Sequence, residues 1–380
     1  MKVILSVEPI KYPLTGIGRY TYELARAIEK TNKIEHLLYF DGKKIGQSIP
    51  DENSTITVSH GLKNILKNNT AAIKIYQTFS PKIKKRVLSR YSDYIYHGPN
   101  FFLPEHKAKK LSTFHDLSPF KYPDYFEPKR CRYTQQEILK GLKRSDFIIT
   151  VSDYIKKELS EHFDFPSDKI KTTHLAASDN FYPRDELQTL PVLKKYKLNY
   201  QGYSLFIGTI EPRKNIISLL DAYESMPTEL RLAYPLVISG FKGWRNEKIL
   251  LRIEKAQREG WLIYLGYIPN SDIPLLYSAA KVFCFPSNYE GFGLPVLEAL
   301  QSGVPVVCSN NSSLPEVAGE HSLFHDAGDV EGIRSQLVIA LCSDDLRNHV
   351  IKQGIIHAKR FSWEKCAQKT MEVYKELNQL

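Results

Sequence analysis

Short apolar runs alternate with longer amphipathic stretches along most of the chain. Lys2 to Val7 reads as a buried strand, and a helical pattern follows from about Arg19 to Glu29. His36 to Phe40 is a second strand, with short strands at Tyr94 to Tyr96 and at Leu111 to Phe114. Phe147 to Ser152 is another, followed by a helix from Asp153. The rhythm breaks between Phe181 and Pro191, which reads as a linker, and then restarts. Strands are expected at Tyr203 to Ile207, Leu236 to Ser239, Leu262 to Leu265, Val282 to Phe285 and Val304 to Cys308. Helices are expected at Asn215 to Glu224, Asn246 to Glu259 and from Ile273. Strands alternating with helices predict an α/β chain with two Rossmann-like, doubly wound parallel sheets. Ligands of such sheets bind beyond the carboxyl ends of the strands. A cleft between the two domains is therefore the expected site.

Length agrees with two domains: 380 residues exceed what one ordinary core supports. With 42% apolar and 25% charged residues, a wholly disordered chain is excluded. Five Cys without a Cys-x-x-Cys pair argue against a disulfide scaffold or structural zinc, and for a reducing compartment. No run is long and apolar enough for a membrane span or a signal peptide, so a cytoplasmic protein is expected.

The net charge of +10 is unevenly spread. Between Gly61 and Arg90 stand eight basic residues and no acidic one, interleaved with apolar side chains such as Ile65, Ile73, Phe79 and Ile83. Such a stretch is either a solvated face or a surface for anionic headgroups. Nucleic acid would also suit the charge, but no nucleic-acid motif accompanies it, so no nucleic-acid partner is expected.

Four segments carry candidate chemistry. The richest is Tyr289-Glu290-Gly291-Phe292-Gly293-Leu294-Pro295, with Glu298 one turn into the helix beyond. Glycines allow a tight turn, Pro295 suits a first helical turn, and a helix N-terminus with free loop amides binds an anion. Two carboxylates bracketing a phosphate site suggest a sugar-bearing phosphate. The plainer alternative is a junction with two surface acids. In Glu211-Pro212-Arg213-Lys214-Asn215, two adjacent cations stand where a strand ends and a helix begins. Arg grips phosphate in two places and Lys adds a point charge, although solvated surface charges would read the same. Gly16-Ile17-Gly18 follows the first strand, but Thr21 replaces the third glycine of a dinucleotide fingerprint. His115-Asp116-Leu117 follows a short strand, where a single His is more often structural than catalytic.

Together these motifs resemble the retaining glycosyltransferases of family 4, which have the GT-B fold. The resemblance spans essentially the whole chain. It is carried by Glu290 and Glu298 as the family's Glu-x7-Glu pair, by Glu211 to Asn215, by Gly16 to Gly18 and by His115 to Leu117. The ending Phe361-Ser362-Trp363-Glu364 resembles the start of the family's terminal helix. The variant with Gly240-Phe241-Lys242-Gly243-Trp244 is most similar to bacterial mannosyltransferases that build O-antigen or related polysaccharides from GDP-mannose.

The resemblance implies an acceptor-binding domain over 1–185, onto which helix 362–380 packs back, and a donor-binding domain over 186–361. It implies that Glu298 holds the ribose, and that Glu290 with the amides of Gly291, Phe292, Gly293 and Leu294 holds the transferred sugar and its phosphate. Arg213 and Lys214 would bind the diphosphate, and His115 would touch the sugar or the reacting centre. Gly16, Gly18, Gly240 and Tyr267 complete the implied donor site. One departure is Thr209, where many relatives have Arg.

As the sugar leaves, the nucleoside diphosphate gains charge, and fixed cations there lower the barrier. No convincing Asp-x-Asp metal site is present, so neither metal nor cofactor is expected. The implied partners are a nucleotide sugar, a glycan or polyprenyl-diphosphate-linked acceptor, and an anionic membrane that the enzyme would touch peripherally from the cytoplasmic side. Rival readings are another nucleotide-sugar donor, including a UDP-sugar, a nucleotide-sugar epimerase, and a catalytically silent sugar-nucleotide or lipid-binding subunit. A glycoside hydrolase would need two carboxylates flanking the bond, but no dicationic clamp.

Overall fold

A computed structural model of the chain describes residues 1–14, 16–51 and 80–379. They divide into two compact units. The first comprises the described residues from Met1 to Leu117, Lys129–Leu175 and the helix that begins at Trp363. The second comprises Ser118–Pro128 and Ala176–Ser362. The division thus falls before 185, and a short segment lying within the first unit in sequence belongs to the second.

The first unit is built on a seven-stranded sheet in the order β3-β2-β1-β4-β5-β6-β7. Its strands are β1 (Lys2–Ser6), β2 (His36–Phe40), β3 (Ile45–Gly46), β4 (Ile95–Gly98), β5 (Lys110–Phe114), β6 (Phe147–Thr150) and β7 (Ile170–Thr172). All pairings are parallel except β2 with the short edge strand β3. Val3 lies between Leu37 and Ile95 and is fully buried, as a central strand covered on both faces requires. Helix Gly16–Thr31 packs against the C-terminal helix Trp363–Gln379. The latter buries Trp363, Cys366, Ala367, Thr370, Met371, Tyr374 and Leu377, one continuous stripe at helical spacing.

The second unit carries a six-stranded, all-parallel sheet in the order β10-β9-β8-β11-β12-β13. Its strands are β8 (Ser204–Ile207), β9 (Leu236–Ser239), β10 (Leu262–Gly266), β11 (Val282–Phe285), β12 (Val306–Ser309) and β13 (Leu323–His325). In both sheets the strand order reverses once, between β1 and β4 and between β8 and β11. Ligands of open parallel sheets gather at such reversals.

Two sequence expectations need correction. The expected linker from Phe181 to Pro191 instead runs into a helix, Glu186–Tyr196. Asp185 caps it, accepting from Gln188 N while the Gln188 side chain accepts from Asp185 N. That reciprocal cap overrides Pro191, which sits inside the helix. The first helix begins at Gly16 rather than Arg19. Strands β3, β7 and β13 are two or three residues long, too short for alternation to reveal.

Among the described residues, no helix is long and apolar enough to cross a membrane. The basic residues Lys63, Lys67 and Lys74 lie outside the described residues. Lys84, in the helical residues 80–88, is not a solvated charge: its ammonium lies 2.6 Å from Glu8.

Candidate active site

The loops after β8 and β11 flank the chain reversal of the second sheet, and they hold the two strongest motifs. Backbone contacts fix the first loop. A Cβ on Gly240 would come within 1.8 Å of the Gly208 carbonyl, so β9 can leave the sheet here only through glycine. Ile210 N then donates to Phe241 O at 2.9 Å, and Gly243 N to Ile210 O at 3.1 Å. The chain proceeds through one turn, Pro212–Lys214, to Asn215 in the left-handed region. Asn288 N donates to Arg213 O at 2.9 Å and ties the two loops together.

The second loop ends at Gly293, whose φ of +106° favours glycine and which caps helix Leu294–Gln301. Two serines beyond β12 clamp it. Glu290 N donates to Ser312 Oγ at 2.9 Å, and Ser313 Oγ reaches the carbonyls of Glu290 at 2.9 Å and Phe292 at 2.8 Å. Asn311 Nδ2 donates to Asn288 O at 2.6 Å. Sequence reading missed this clamp, although Asn310-Asn311-Ser312-Ser313 is a polar run directly after a strand.

These loops bring Glu211, Arg213, Lys214 and Glu290 into one ionic cluster. Lys214 Nζ lies 2.5 Å from Glu290 Oε1, and Arg213 Nη1 lies 2.9 Å from Glu290 Oε2. Arg213 Nη2 also meets Glu211 Oε1 at 2.8 Å, and Nη1 donates to Tyr289 O at 2.7 Å. Glu211, Lys214 and Glu290 are 1%, 8% and 7% exposed, so these are not the solvated surface charges of the plainer reading. Burial alone would raise the Glu290 pKa, but Arg213 and Lys214 outweigh it and hold the carboxyl at about 2. Burial, then Arg213, brings Lys214 below the ordinary lysine value against the pull of Glu290. Two cations meet two carboxylates, so the cluster balances its own charge.

Glu298 is half-buried on the helix that Gly293 starts. Phe292 turns its ring into the core, edge-on to Phe361 at 5.8 Å, which leaves its backbone for the loop. Gly291 is buried and Leu294 half-buried. Tyr267, just beyond β10, is 49% exposed and stacks on Phe241, just beyond β9, with centroids 4.5 Å apart. Segment Ser118–Pro128 adds aromatic cover that sequence reading did not single out. Tyr122 packs on Tyr289 at 5.4 Å, and Phe126 stacks on Trp244 at 5.8 Å.

The other candidates belong to the first unit. Gly16 has open space where a Cβ would stand, whereas a Cβ on Gly18 would lie 2.8 Å from the Pro9 carbonyl. Close packing therefore already demands the second glycine. His115 follows β5 and is half-buried, with Nε2 2.8 Å from Pro99 O. A carbonyl only accepts, so Nε2 carries the proton. Burial lowers the His115 pKa, with Pro99 and Asp116 opposing.

Residues 14–176 match the family described as Glycosyltransferase Family 4, and residues 194–378 match Glycosyl transferases group 1. O-antigen chain mannosyltransferase B of Escherichia coli is 45% identical over 381 residues, covering 99% of this chain and 100% of its own. The chain belongs to glycosyltransferase family 4. This family 4 enzyme is also 31% identical to the serotype-specific mannosyltransferase WbdA of Escherichia coli, over 71% of its own length and 34% of the relative's. Solved structures share its fold at lower identity. HepE of Anabaena superimposes with a TM-score of 0.72 at 14% identity, covering 99% of both chains. Sucrose-phosphate synthase of Thermosynechococcus elongatus gives 0.70 at 19%, again over 99% of both. The family 4 enzyme thus has the GT-B class of fold, with two Rossmann-like domains.

Proposed function

We propose that the enzyme transfers mannose from GDP-mannose, with retention of configuration and without a metal ion, to a glycan or polyprenyl-diphosphate-linked acceptor in O-antigen or related polysaccharide synthesis. The observation that carries this reading is the buried Glu211–Arg213–Lys214–Glu290 cluster at the chain reversal of the second sheet. Full-length similarity to an O-antigen chain mannosyltransferase supports mannose as the sugar.

The chemistry follows from charge. Without donor, Glu290 is the anion that keeps Arg213 and Lys214 in place. A nucleoside diphosphate brings further negative charge, which the two cations share as the glycosidic bond breaks. Cations fixed in a low-dielectric loop need little reorganisation when that charge appears. Glu290 is ionised at neutral pH and accepts from sugar hydroxyls. Glu298 accepts from the ribose. The same cations supply the charge that a divalent ion supplies in other glycosyltransferases.

Peripheral contact with the inner face of the cytoplasmic membrane belongs to this reading. Ile83, Phe102 and Tyr133 of the first unit are 49%, 37% and 41% exposed, and Phe102 and Tyr133 lie 6.4 Å apart. Lys82, Lys85 and Arg86 flank Ile83 and suit anionic headgroups.

Calorimetric titration with GDP, UDP, ADP and their sugar conjugates, in EDTA and then in magnesium, tests the donor. Selective EDTA-resistant binding of GDP-mannose is expected, with an α-linked product by NMR when acceptor is added. A preference for a UDP-sugar would discard the mannose reading and keep the transferase. Conversion of the donor without acceptor would point to an epimerase, and absence of all binding to a silent subunit.

A further inference from the structure

The buried stripe of the C-terminal helix includes Tyr374, which is fully enclosed. Its hydroxyl lies 2.6 Å from His97 Nδ1 on β4. His97 Nε2 lies 2.9 Å from the Thr113 hydroxyl on β5, which lies 3.0 Å from Tyr20 Oη on the first helix. The Tyr20 ring meets His115 edge to face, 4.9 Å between centroids at 82°. The four hydrogen-bonded members are 0% exposed, and only His115, at the end of the line, is half-buried.

Two constraints therefore act on His115. The Pro99 carbonyl fixes the direction of Nε2–H, and Tyr20 fixes the tilt of the ring. The carbonyl is itself placed by a tight return of the chain: a Cβ on Gly98 would lie 2.8 Å from Leu103 Cδ2 and 3.1 Å from Phe102 O. Asn100 Oδ1 closes that turn by accepting from Phe102 N at 3.0 Å. With Nε2 protonated in the neutral ring, Nδ1 is left as an acceptor. Burial, with a smaller contribution from His115, holds the His97 pKa at about 3, so the interior of the line is uncharged. Neutral His97 and three hydroxyls carry four protons for three links. The line's last contact, Tyr20 with His115, is ring to ring, so it passes no proton to His115 and its role is positional.

We propose that Tyr374, His97, Thr113 and Tyr20 are positioning residues that hold the tilt of the His115 ring, so that Nε2–H stays on the Pro99 carbonyl and the Nδ1 lone pair is available to a substrate hydroxyl. The C-terminal helix thereby becomes part of the catalytic apparatus through Tyr374. This rests on the reading of His115 as a substrate-contacting residue.

The test uses the full-length enzyme. Thr113→Val removes two links with little change of shape, and Tyr374→Phe removes one. Each link is worth about fivefold in rate, the factor that corresponds to one ordinary hydrogen bond. Turnover should fall about fivefold in Tyr374→Phe and further in Thr113→Val, while donor affinity by calorimetry stays within about twofold of wild type. Thr113→Ser, which keeps the hydroxyl, should restore turnover. In ¹⁵N-histidine spectra, with His115 assigned by its loss in His115→Gln, Nε2 should be the protonated nitrogen. In Thr113→Val the two tautomers should mix.

A folded Thr113→Val enzyme with unchanged turnover, or a wild-type spectrum with Nδ1 protonated, overturns the proposal. Should Thr113→Val fail to fold, Tyr374→Phe and the wild-type spectrum still decide it. Full activity in His115→Ala would sink the parent reading and this one together. Loss of activity in His115→Ala beside silent Tyr374→Phe and Thr113→Val would leave the parent reading standing and overturn only the positioning line.

Discussion

Each unit of this glycosyltransferase builds a buried polar cluster beside the chain reversal of its sheet, and the two clusters are of opposite kinds. In the second unit, Glu211, Arg213, Lys214 and Glu290 are charged and balance one another. In the first, His97, Thr113, Tyr20 and Tyr374 are neutral and linked by hydroxyl hydrogen bonds. A buried ion pair that loses one member leaves an uncompensated charge, which costs about 3–5 kcal/mol. A buried neutral hydrogen bond that loses one member costs about 1–3 kcal/mol. The ionic cluster should therefore fail sharply and the neutral one gradually.

The largest effect is expected for Glu290→Gln, which leaves Arg213 and Lys214 beside an amide. Depression of the Glu290 pKa from 4.5 to about 2 corresponds to roughly 3 kcal/mol of folding stability by linkage. The folded value lies below the unfolded one, so this stability is fully present above about pH 4.5 and is lost as pH falls to about 2. Urea denaturation of wild type and variant should differ by about 3 kcal/mol at pH 7, and the gap should narrow below pH 4.5. An equal gap at every pH, or none, would contradict the ionic description.

Arg213→Ala and Lys214→Ala come next. Each should cost about 2–4 kcal/mol in kcat/KM, the loss typical of removing one donor aimed at developing charge. Because both cations contact Glu290, a double-mutant cycle with Glu290→Gln should show coupling well beyond additivity. Additive losses would mean that the cations act independently of that carboxylate. Glu298→Ala lies outside the cluster. It should weaken donor binding about tenfold while leaving kcat nearly unchanged.

The same contrast explains what the sequence could say. The ionic cluster was legible because its members stand in two short, contiguous motifs, each where an apolar run stops. The neutral line was not, because His97, Thr113, Tyr20 and Tyr374 come from four separate elements and none is unusual in its own neighbourhood. His115 was visible but its constraints were not. Nothing near it in sequence points to the Pro99 carbonyl or the Tyr20 ring. The central strands announced themselves as apolar runs, since strands covered on both faces carry little else. The short edge strands carried no such signal. The serine clamp at Ser312 and Ser313 shows a third limit, because its hydroxyls serve a loop more than twenty residues earlier.

The smallest effect is expected at the exposed Phe241–Tyr267 stack, where neither residue belongs to either cluster. Both rings are about half exposed, so removing one should change folding stability by no more than about 0.5–1.5 kcal/mol, the worth of one aromatic pair. The two rings stand just beyond β9 and β10, at the carboxyl edge that also carries Arg213 and Lys214, and an exposed aromatic face there is suited to a planar base. If Tyr267 serves the donor, Tyr267→Ala should raise the dissociation constant for GDP several-fold and leave that for mannose 1-phosphate alone, because only the former carries a base. Tyr267→Phe should keep GDP affinity, since stacking needs the ring and not the hydroxyl. A parallel loss for both ligands in Tyr267→Ala would instead mean that the stack acts through the ionic cluster, by holding the Gly240 turn against Gly208, and the two regions of the second unit would no longer be separable.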